Sequence, residues 1–410
     1  MADRIISMIT DFGCTNLYAN MEYEVDELRR DMKVCDLAKA KGIKANFVHN
    51  KCIVEPGVIL TKDKRAYSVY SPYQRSWLNE LNSNIPHYLE DCPTPTPNPP
   101  SIRTNEKFAS LFDTQIPVAI EGFELKEADS KKMRDIFPEG EEAAAEILRR
   151  FLSSKSRTSQ FGAVNPLAAG AEQSSKASRI LKYDKDRDRA DRDSTSRLSV
   201  YLSSGVLSIR ECIRATMKLL DSDTVDGGRN SGIGRWVQEL AWRDFYTCVL
   251  VGYPRVSMGR PFLEKFSAVV WEDHQAPEDS ETADKYINRE EDGESLRRWK
   301  EGTTGVPIVD ATMRCLKDMG WLHNRMRMIA AMFLTKDLMI DWRVGERSTK
   351  ADPTGDFIRH WVPELGKLRG PDIHNPPEAA AKKLGYPLPI VKHVEARDRA
   401  LRRFKNPGEK

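Results

Sequence analysis

The apolar positions near the start of the chain follow the order strand, helix, strand. Thr15–Glu22 is a short apolar-rich run, Val25–Lys41 carries apolar residues at helical spacing, and Ala45–Asn50 is a second short run. Two strands joined by one helix are typically parallel, and a parallel sheet needs cover on both of its faces. The pattern therefore predicts an incomplete, Rossmann-like parallel α/β domain at the N-terminus.

Apolar residues recur at helical spacing throughout the second half of the chain. They do so in four segments, which are Ser199–Leu220, Gly234–Gly252, Gly305–Met319 and Leu322–Trp342. Seven of the eight tryptophans also fall in this half, and burial in a core is the commonest fate of tryptophan. The pattern predicts an all-α C-terminal domain.

The region between these two parts has the composition of linkers and insertions. Residues 86–101 are rich in proline, which favours extended backbone. Ser153–Asp193 is polar and ends in a dense run of charges, so we predict a mobile insertion that runs into a solvated helix. The predicted domains are an α/β domain over residues 1–80, a linker region over 81–180 and a helical domain over 181–410.

Composition restricts the class of protein without identifying it. Hydrophobic residues make up 40% of the chain and charged residues 30%, which is ordinary for a soluble globular protein. No apolar run reaches the length of a membrane span. The seven cysteines are scattered singly, which favours a reducing compartment over a disulfide framework or a zinc module. The net charge of +3 is too small to indicate a nucleic-acid partner by itself.

One face of the Gly234–Gly252 segment gathers groups that a planar ligand could use. Trp236, Glu239 and Arg243 are three and four residues apart, so they share a helical face. Two interpretations are open. Glu239 and Arg243 form a surface ion pair of little energetic weight, or they are a buried pair flanked by aromatic rings that binds a planar heterocycle.

A second candidate group lies at the start of the Leu322–Trp342 segment. Asn324 and Arg327 share a face while Arg325 points elsewhere, so this turn could bind a cofactor on one side and phosphates on the other. We interpret His323 as a structural histidine rather than a general base. The sequence has no P-loop, Ser-His-Asp arrangement or metal-ligand cluster, so conventional hydrolytic chemistry is not predicted.

Several long motifs, taken together in order, resemble the photolyase/cryptochrome family. They are Thr195–Ser199 (TSRLS), Trp236–Tyr246 (WVQELAWRDFY), the run Trp299–Arg347 and Phe357–Leu365 (FIRHWVPEL). The turn HNRMRM resembles the branch that repairs cyclobutane pyrimidine dimers, because the histidine pair usual in (6-4) photolyases is not seen there. The resemblance implies light-dependent DNA repair by electron transfer from reduced FAD. It also implies an N-terminal antenna domain and a helical FAD-binding domain.

The resemblance also implies roles for individual residues. The counterparts of the family's FAD contacts are Tyr183, Thr195, Ser196, Arg197, Leu198, Ser199, Trp236, Arg243, Asn324 and Arg327. The counterparts of its DNA contacts are Glu239, Trp242, Arg243, Tyr246, Asn324, Arg325 and Met328. Among these, Glu239 would hydrogen-bond the flipped dimer and Trp242 would stack on it. Trp271 and Trp342 resemble the outer and middle members of the tryptophan relay that reduces the flavin.

The resemblance further implies an antenna chromophore in the N-terminal domain. Asp26 and Glu27 match the contacts to a folate antenna, methenyltetrahydrofolate. Bacterial relatives also hold that pterin with a Cys-Lys pair, and this chain has Ser257-Met258 at that place.

The chain departs from the family pattern in two places. The family has a strand–helix–strand region upstream of the YEVDE segment, with which this chain nearly begins. After Arg347 the sequence continues directly with Ser348, where relatives carry Asp-Gly-Asp and Asn-Asn-Gly-Gly-Trp motifs that brace the flavin ring. That segment also supplies the innermost relay tryptophan and a second tryptophan at the dimer. We therefore predict that the chain binds FAD poorly and repairs little.

Two other functions remain open at this point. One is a cryptochrome-like blue-light photoreceptor, and the other is a flavin-free DNA-binding remnant. We further expect a monomer that acts on DNA and not at a membrane, in the nucleus or also in the mitochondrion.

Overall fold

The computed structural model divides the chain into two compact units. The first comprises Met1–Lys131, Ser208–Asp226 and Val237–Ser257, and the second comprises Lys132–Leu207, Gly227–Trp236 and Met258–Lys410. The residues that the structure describes are 1–91, 93–94, 96–113, 115, 121–122, 124–157, 165–272, 293–341 and 356–408. Each unit draws on three stretches of sequence. The domain boundaries predicted at residues 80 and 180 stay a prediction.

The described residues are mostly helical and include one small sheet. The strands are β1 (Asn16–Asn20) and β2 (Lys44–Val48). The helices are α1 (Ala2–Asp11), α2 (Val25–Ala40), α3 (Tyr70–Ser83), α4 (Ile85–Leu89), α5 (Ala109–Asp113), α6 (Glu127–Ile136), α7 (Glu141–Ser153), α8 (Tyr183–Asp186), α9 (Ser199–Ser204), α10 (Ile209–Leu220), α11 (Gly232–Gly252), α12 (Glu294–Glu301), α13 (Pro307–Met319), α14 (Asn324–Met332), α15 (Asp356–Trp361), α16 (Glu378–Lys383) and α17 (His393–Lys405). Short 3-10 turns span Pro100–Thr104, Pro254–Met258, Glu264–Ala268, Pro363–Leu365 and Gly370–Ile373.

The predicted strand–helix–strand order at the N-terminus is confirmed. Strands β1 and β2 pair in parallel with Asn16 opposite Lys44, and α2 connects them. Gly42 follows α2 with a φ of +70°, a left-handed conformation that favours glycine at the end of a helix. The sequence pattern missed α1, whose Ala2 and Ile6 are buried against the Val34 and Ala38 side of α2. Helix α1 therefore packs against α2.

The second unit is built from helices around one large apolar core. Its centre includes Met326 and Leu334 together with Phe357 and Leu365, all of which are fully buried. Trp299 on α12 is also buried, and its indole N–H donates to the Ala330 carbonyl at 2.8 Å. The predicted α/β and all-α fold classes are thus confirmed. None of the described helices is long and apolar enough to cross a membrane.

Two of the predicted helical segments are interrupted. The first breaks between α9 and α10, because Gly205 adopts a φ of +78° and Ser208 starts a new helix by accepting a hydrogen bond from the Arg210 amide. The second, Leu322–Trp342, ends its α-helix at Met332 and continues as a π-helical turn over Phe333–Asp337. Apolar spacing alone does not reveal such breaks, because both parts of each segment bury a face.

The charged stretch before Thr195 is not the solvated helix that we predicted. It contains only the single turn α8, and Asp193 and Ser194 are buried. Arg179, just upstream, is also buried, because it forms an ion pair with Asp193. The physical reason is charge pairing, which lets a polar sequence enter the interior. Residues 158–164 of the predicted mobile insertion lie outside the described residues.

Candidate functional site

An aromatic stack surrounds Trp242 in the first unit. The indole of Trp242 lies 3.5 Å from the ring of Tyr70, with an angle of 7° between the two planes. Tyr246, one turn further along α11, is 5.4 Å away and nearly parallel. Tyr70 is itself fixed, because its hydroxyl donates to the Gln238 carbonyl at 2.8 Å. The structure therefore brings together Trp242 and Tyr246, both predicted to contact DNA, and adds Tyr70, which the motifs did not indicate.

The next residues of α11 bind a segment that follows β2. The Arg243 guanidinium donates to the Lys51 carbonyl. Asp244 is fully buried and accepts from the Ile53 amide at 2.9 Å and from the Trp77 indole N–H at 3.0 Å. Glu239 and Arg243 are each half-buried, so both interpretations made from sequence stay open.

The Thr195–Ser199 motif in the second unit lies beside a cluster of arginines. Asp193 is within 3.6 Å of Arg157, 3.4 Å of Arg179 and 3.3 Å of Arg197. In the part of the chain that the structure describes, it is the only carboxylate in ion-pair range of Arg157 and Arg179. Burial lowers the pKa of Arg179 below its ordinary value, and the Nε of this residue is buried with no hydrogen-bond partner. The cluster carries more positive than negative charge.

This arrangement fits the diphosphate of FAD. Buried cations require compensating charge, and a diphosphate supplies two negative charges and several acceptor oxygens. Arg179 also donates to the Thr195 carbonyl at 3.4 Å, which ties the cluster to the motif. Arg197 has a φ of +58° and lies 4.4 Å from the centre of the Trp321 ring. The excess of arginine was not visible from sequence, because Arg157 and Arg179 lie in the stretch predicted to be an insertion.

Two other predicted FAD contacts pack on a shared side chain. The ring of Phe151 lies 5.8 Å from that of Tyr183 and 5.1 Å from that of Trp236. The start of α11 passes close to the backbone of Ile180, since a Cβ on Gly232 would stand 2.1 Å from the Ile180 carbonyl oxygen. Only glycine fits this crossing, and it fixes the position of Trp236.

The turn at the start of α14 separates its polar side chains by exposure. Asn324 and Arg327 are exposed, whereas Arg325 is half-buried and pairs with Asp188 at 2.8 Å. Met328 lies near Asn324, with 3.7 Å between its sulfur and the amide nitrogen. Arg325 would have to leave Asp188, or share it, in order to bind a phosphate.

His323 is the N-cap of α14. Its Nδ1 accepts a hydrogen bond from the Arg325 amide at 3.1 Å, and the ring is buried. Burial lowers the pKa of His323 to about 4, so the ring is neutral at physiological pH. The interpretation of this residue as structural agrees with this geometry.

This capping histidine leads to a prediction about pH and stability. Its pKa is lower in the folded than in the unfolded state, so its contribution to folding is complete above about pH 6.5 and is lost as the pH falls toward 4. We expect the free energy of unfolding to fall by about 1 kcal/mol from this group between pH 7.5 and 5.5. The His323→Asn variant keeps a capping acceptor but does not titrate. Urea unfolding at both pH values should show a smaller loss in the variant, and an equal loss would contradict the prediction.

The two predicted antenna segments meet in the first unit. Asp26 and Glu27 lie in the first turn of α2, and the Val25 amide donates to the Ser257 hydroxyl at 3.1 Å. Asp26 pairs with Arg29 and is largely exposed. Sequence positions more than 200 residues apart are thus brought together, and whether they hold a chromophore stays a prediction.

Only part of the predicted electron relay can be located. Trp271 is buried, and its ring meets that of Phe404 edge-on at 6.0 Å. The neighbouring Glu272 pairs with Arg403 on α17 at 2.9 Å. Trp342 lies outside the described residues, as does the predicted break after Arg347. No group of three metal-ligating side chains occurs among the residues with a described position.

Comparison with known families identifies the class of protein. The model of the FAD-binding domain of DNA photolyase matches residues 236–351 and 346–406, and the DNA photolyase model matches residues 1–100. The chain belongs to the DNA photolyase family and carries its FAD-binding domain.

Individual relatives agree with this assignment. The deoxyribodipyrimidine photo-lyase of Neurospora crassa is 35% identical over 98% of this chain and 67% of its own length. That of Escherichia coli is 30% identical over 94% of this chain and 77% of its own length. Among solved structures, a class III photolyase from Agrobacterium tumefaciens is similar with a TM-score of 0.69 and 25% identity, covering 98% of this chain and 82% of the other.

The same comparisons bear on the predicted break in the sequence. The FAD-binding model matches in two pieces whose ends meet at residues 346–351, which include the Arg347–Ser348 junction. The alignment with the Neurospora protein runs over 459 positions, more than the 410 residues of this chain. The relative therefore carries residues inside the aligned span that have no counterpart here.

Proposed function

We propose that this chain, when it holds reduced FAD, uses light to split cyclobutane pyrimidine dimers in DNA. The observation that supports the proposal most directly is the half-buried indole of Trp242, stacked on Tyr70 and followed by the basic Arg243. An aromatic face suits two adjacent pyrimidines that have left the base stack, and a cationic group suits their phosphates. Membership of the DNA photolyase family supports light-dependent repair as the reaction at this surface.

The residues that would hold FAD follow from the second unit. Arg157 and Arg179, with Arg197, would balance the charge of the diphosphate, while backbone groups of Thr195–Ser199 would bind its oxygens. Bound FAD would supply the light absorption and the one-electron chemistry. The protein supplies position, because a cofactor and a substrate react efficiently only when held in close and fixed geometry.

The residues proposed to bind the dimer act by stacking and charge. Trp242 offers its ring to the extruded bases, and Glu239 offers a carboxylate to their polar edges. Arg243 and Arg325 would contact phosphates, so the affinity should fall as salt rises. Extrusion is easier for a dimer than for normal bases, because its pairing is already weakened.

The test is a binding and repair assay with a synthetic oligonucleotide that carries one thymine dimer. We expect Trp242→Ala to weaken binding by about 10- to 100-fold, the range of one lost base–aromatic stack. Trp242→Phe should recover part of the loss, and Trp361→Phe in the second unit is the matched control. Equal affinity of the wild type for damaged and undamaged DNA would contradict the proposal.

The assay also separates the two alternative functions. Flavin binding and light absorption without repair would favour a photoreceptor, and a colourless protein that binds DNA would favour a flavin-free remnant. We further infer that the protein acts as a monomer in a compartment that contains DNA, the nucleus or the mitochondrion. Gel filtration and imaging of the tagged chain test these two points.

A further inference from the structure

Asp244 is a fully buried carboxylate that the proposed chemistry does not use. Its Oδ2 accepts from the Ile53 amide at 2.9 Å and the Trp77 indole at 3.0 Å. Its Oδ1 is buried without a hydrogen bond and stands 3.8 Å from the Arg243 guanidinium. Asp244 therefore contacts the segment after β2, helix α3 and the neighbouring arginine at once.

The segment that Asp244 binds is also held by two arginines. Arg210 on α10 donates to the Asn50 side chain at 3.0 Å and to the Cys52 carbonyl at 3.0 Å. Arg243 donates to the Lys51 carbonyl between them. Three side chains from α10 and α11 thus fix four consecutive residues, Asn50 to Ile53. So many side-chain hydrogen bonds to one irregular segment indicate that its conformation is important for the surface around it.

The negative charge of Asp244 is not needed for its two hydrogen bonds. An asparagine would present a carbonyl oxygen of the same shape to Ile53 and Trp77 without burying a charge. Burial raises the pKa of Asp244 to about 6, so the folded protein disfavours the ionised form relative to water. A buried charge that opposes stability is more often kept for function than for folding. The group that can use the charge is Arg243.

We propose that Asp244 is a positioning residue for substrate recognition, which as a carboxylate holds Arg243 and the Lys51–Ile53 backbone in fixed relation. Arg243, on the same helix as Trp242, then holds its guanidinium in one orientation. This inference rests on the proposed function, because it assigns Arg243 to the DNA-binding surface.

The surroundings of Asp244 determine how its effect depends on pH. The titratable groups around it are Tyr23, Cys52, Tyr73, Arg243 and Cys248. Burial raises the pKa of both tyrosines and both thiols, so these groups are neutral between pH 5 and 8. Asp244 is therefore the fully buried group in this cluster that changes charge near pH 6. The half-buried His49 borders the cluster through its hydrogen bond to Tyr23, so the Asp244→Asn variant is needed to assign the pH step. The affinity for dimer-containing DNA should fall as the pH drops through 6.

The experiment compares Asp244→Asn with the exposed control Asp36→Asn in the full chain. Three quantities are measured: affinity for the dimer oligonucleotide from pH 5 to 8, thermal stability, and amide exchange of residues 50–54. We expect Asp244→Asn to bind about tenfold more weakly at pH 8. Its affinity should lose the step near pH 6, while its melting temperature stays equal or rises. Exchange of residues 50–54 should quicken severalfold, and peptides from α3 should keep wild-type protection.

Each outcome decides between the claims. Wild-type affinity and wild-type exchange in Asp244→Asn would overturn the inference, and a fall in melting temperature that accounts for the weaker binding would make the role merely structural. If the wild type itself does not prefer dimer-containing DNA, the proposed function fails, and the exchange of residues 50–54 alone decides whether Asp244 positions this segment.

Discussion

The purified 410-residue chain is expected to carry less than about one FAD per ten molecules. The resemblance places groups that brace the flavin ring in a segment that relatives carry after Arg347, and the two-piece family match supports its absence. Each lost hydrogen bond from a buried group costs about 1–3 kcal/mol, so the loss of several weakens binding by more than about 100-fold. The arginine cluster at Asp193 would still attract the diphosphate, but it does not replace contacts to the ring. Visible absorption after gel filtration measures the occupancy.

The matched control for this prediction is a repaired chain. Inserting the corresponding segment of the Neurospora protein between Arg347 and Ser348 should raise the FAD content toward one per molecule. Arg179→Met in the repaired chain should lower it again, because the diphosphate loses a buried cation. A wild-type chain with full flavin occupancy would show that the residues present suffice.

The second large effect is expected for Asp310→Ala. This buried carboxylate accepts from the Thr304 amide and hydroxyl, both at 2.6 Å, from the Gly305 amide at 3.0 Å and from the Tyr386 hydroxyl at 2.5 Å. Removing it leaves four buried donors without their acceptor, at about 1–3 kcal/mol each. The sum is comparable to the total stability of a domain. We expect the second unit to be unfolded or insoluble at 25 °C, as measured by circular dichroism.

A graded pair of variants tests whether this loss comes from the hydrogen bonds. Tyr386→Phe removes one donor and should cost about 1 kcal/mol in urea unfolding. The loss of stability in Asp310→Asn should lie between those of Asp310→Ala and Tyr386→Phe, because the amide nitrogen of asparagine cannot accept hydrogen bonds from the donors that it faces. If Asp310→Ala lowers the free energy of unfolding no more than Tyr386→Phe does, these hydrogen bonds do not stabilise the loop that contains Thr304 and Gly305.

The elements best predicted from sequence were those that bury one face. The parallel pair β1 and β2 follows from short apolar runs on either side of one helix, and α11 and α13 follow from helical spacing. The helix α1 was missed although its apolar residues recur at helical spacing, because it is short and Met1 offers no capping side chain. The breaks at Gly205 and Met332 depend on local backbone conformation and on packing that a periodic pattern does not contain.

The motifs of the candidate site could be predicted from the sequence, but the residues that pack against those motifs could not. Helical spacing placed Trp236, Glu239 and Arg243 on one face, and the resemblance supplied their roles. Tyr70 beneath Trp242 and the buried Asp244 could not be inferred, because their partners are distant in sequence. Long-range pairing of this kind depends on the tertiary fold.

The discontinuous first unit has a consequence for the order of synthesis. Its chain runs to Lys131, resumes at Ser208 and ends at Ser257. A ribosome adding roughly 5–20 residues per second would leave the first stretch waiting several seconds for α10 and for the second part of α11. During that interval Trp77 and the Asn50–Ile53 backbone lack Asp244 and the arginines that later bind them, and Tyr73 lacks its hydrogen-bond partner Cys248. Nascent chains of this protein should therefore depend on chaperones until Ser257 has left the ribosomal exit tunnel.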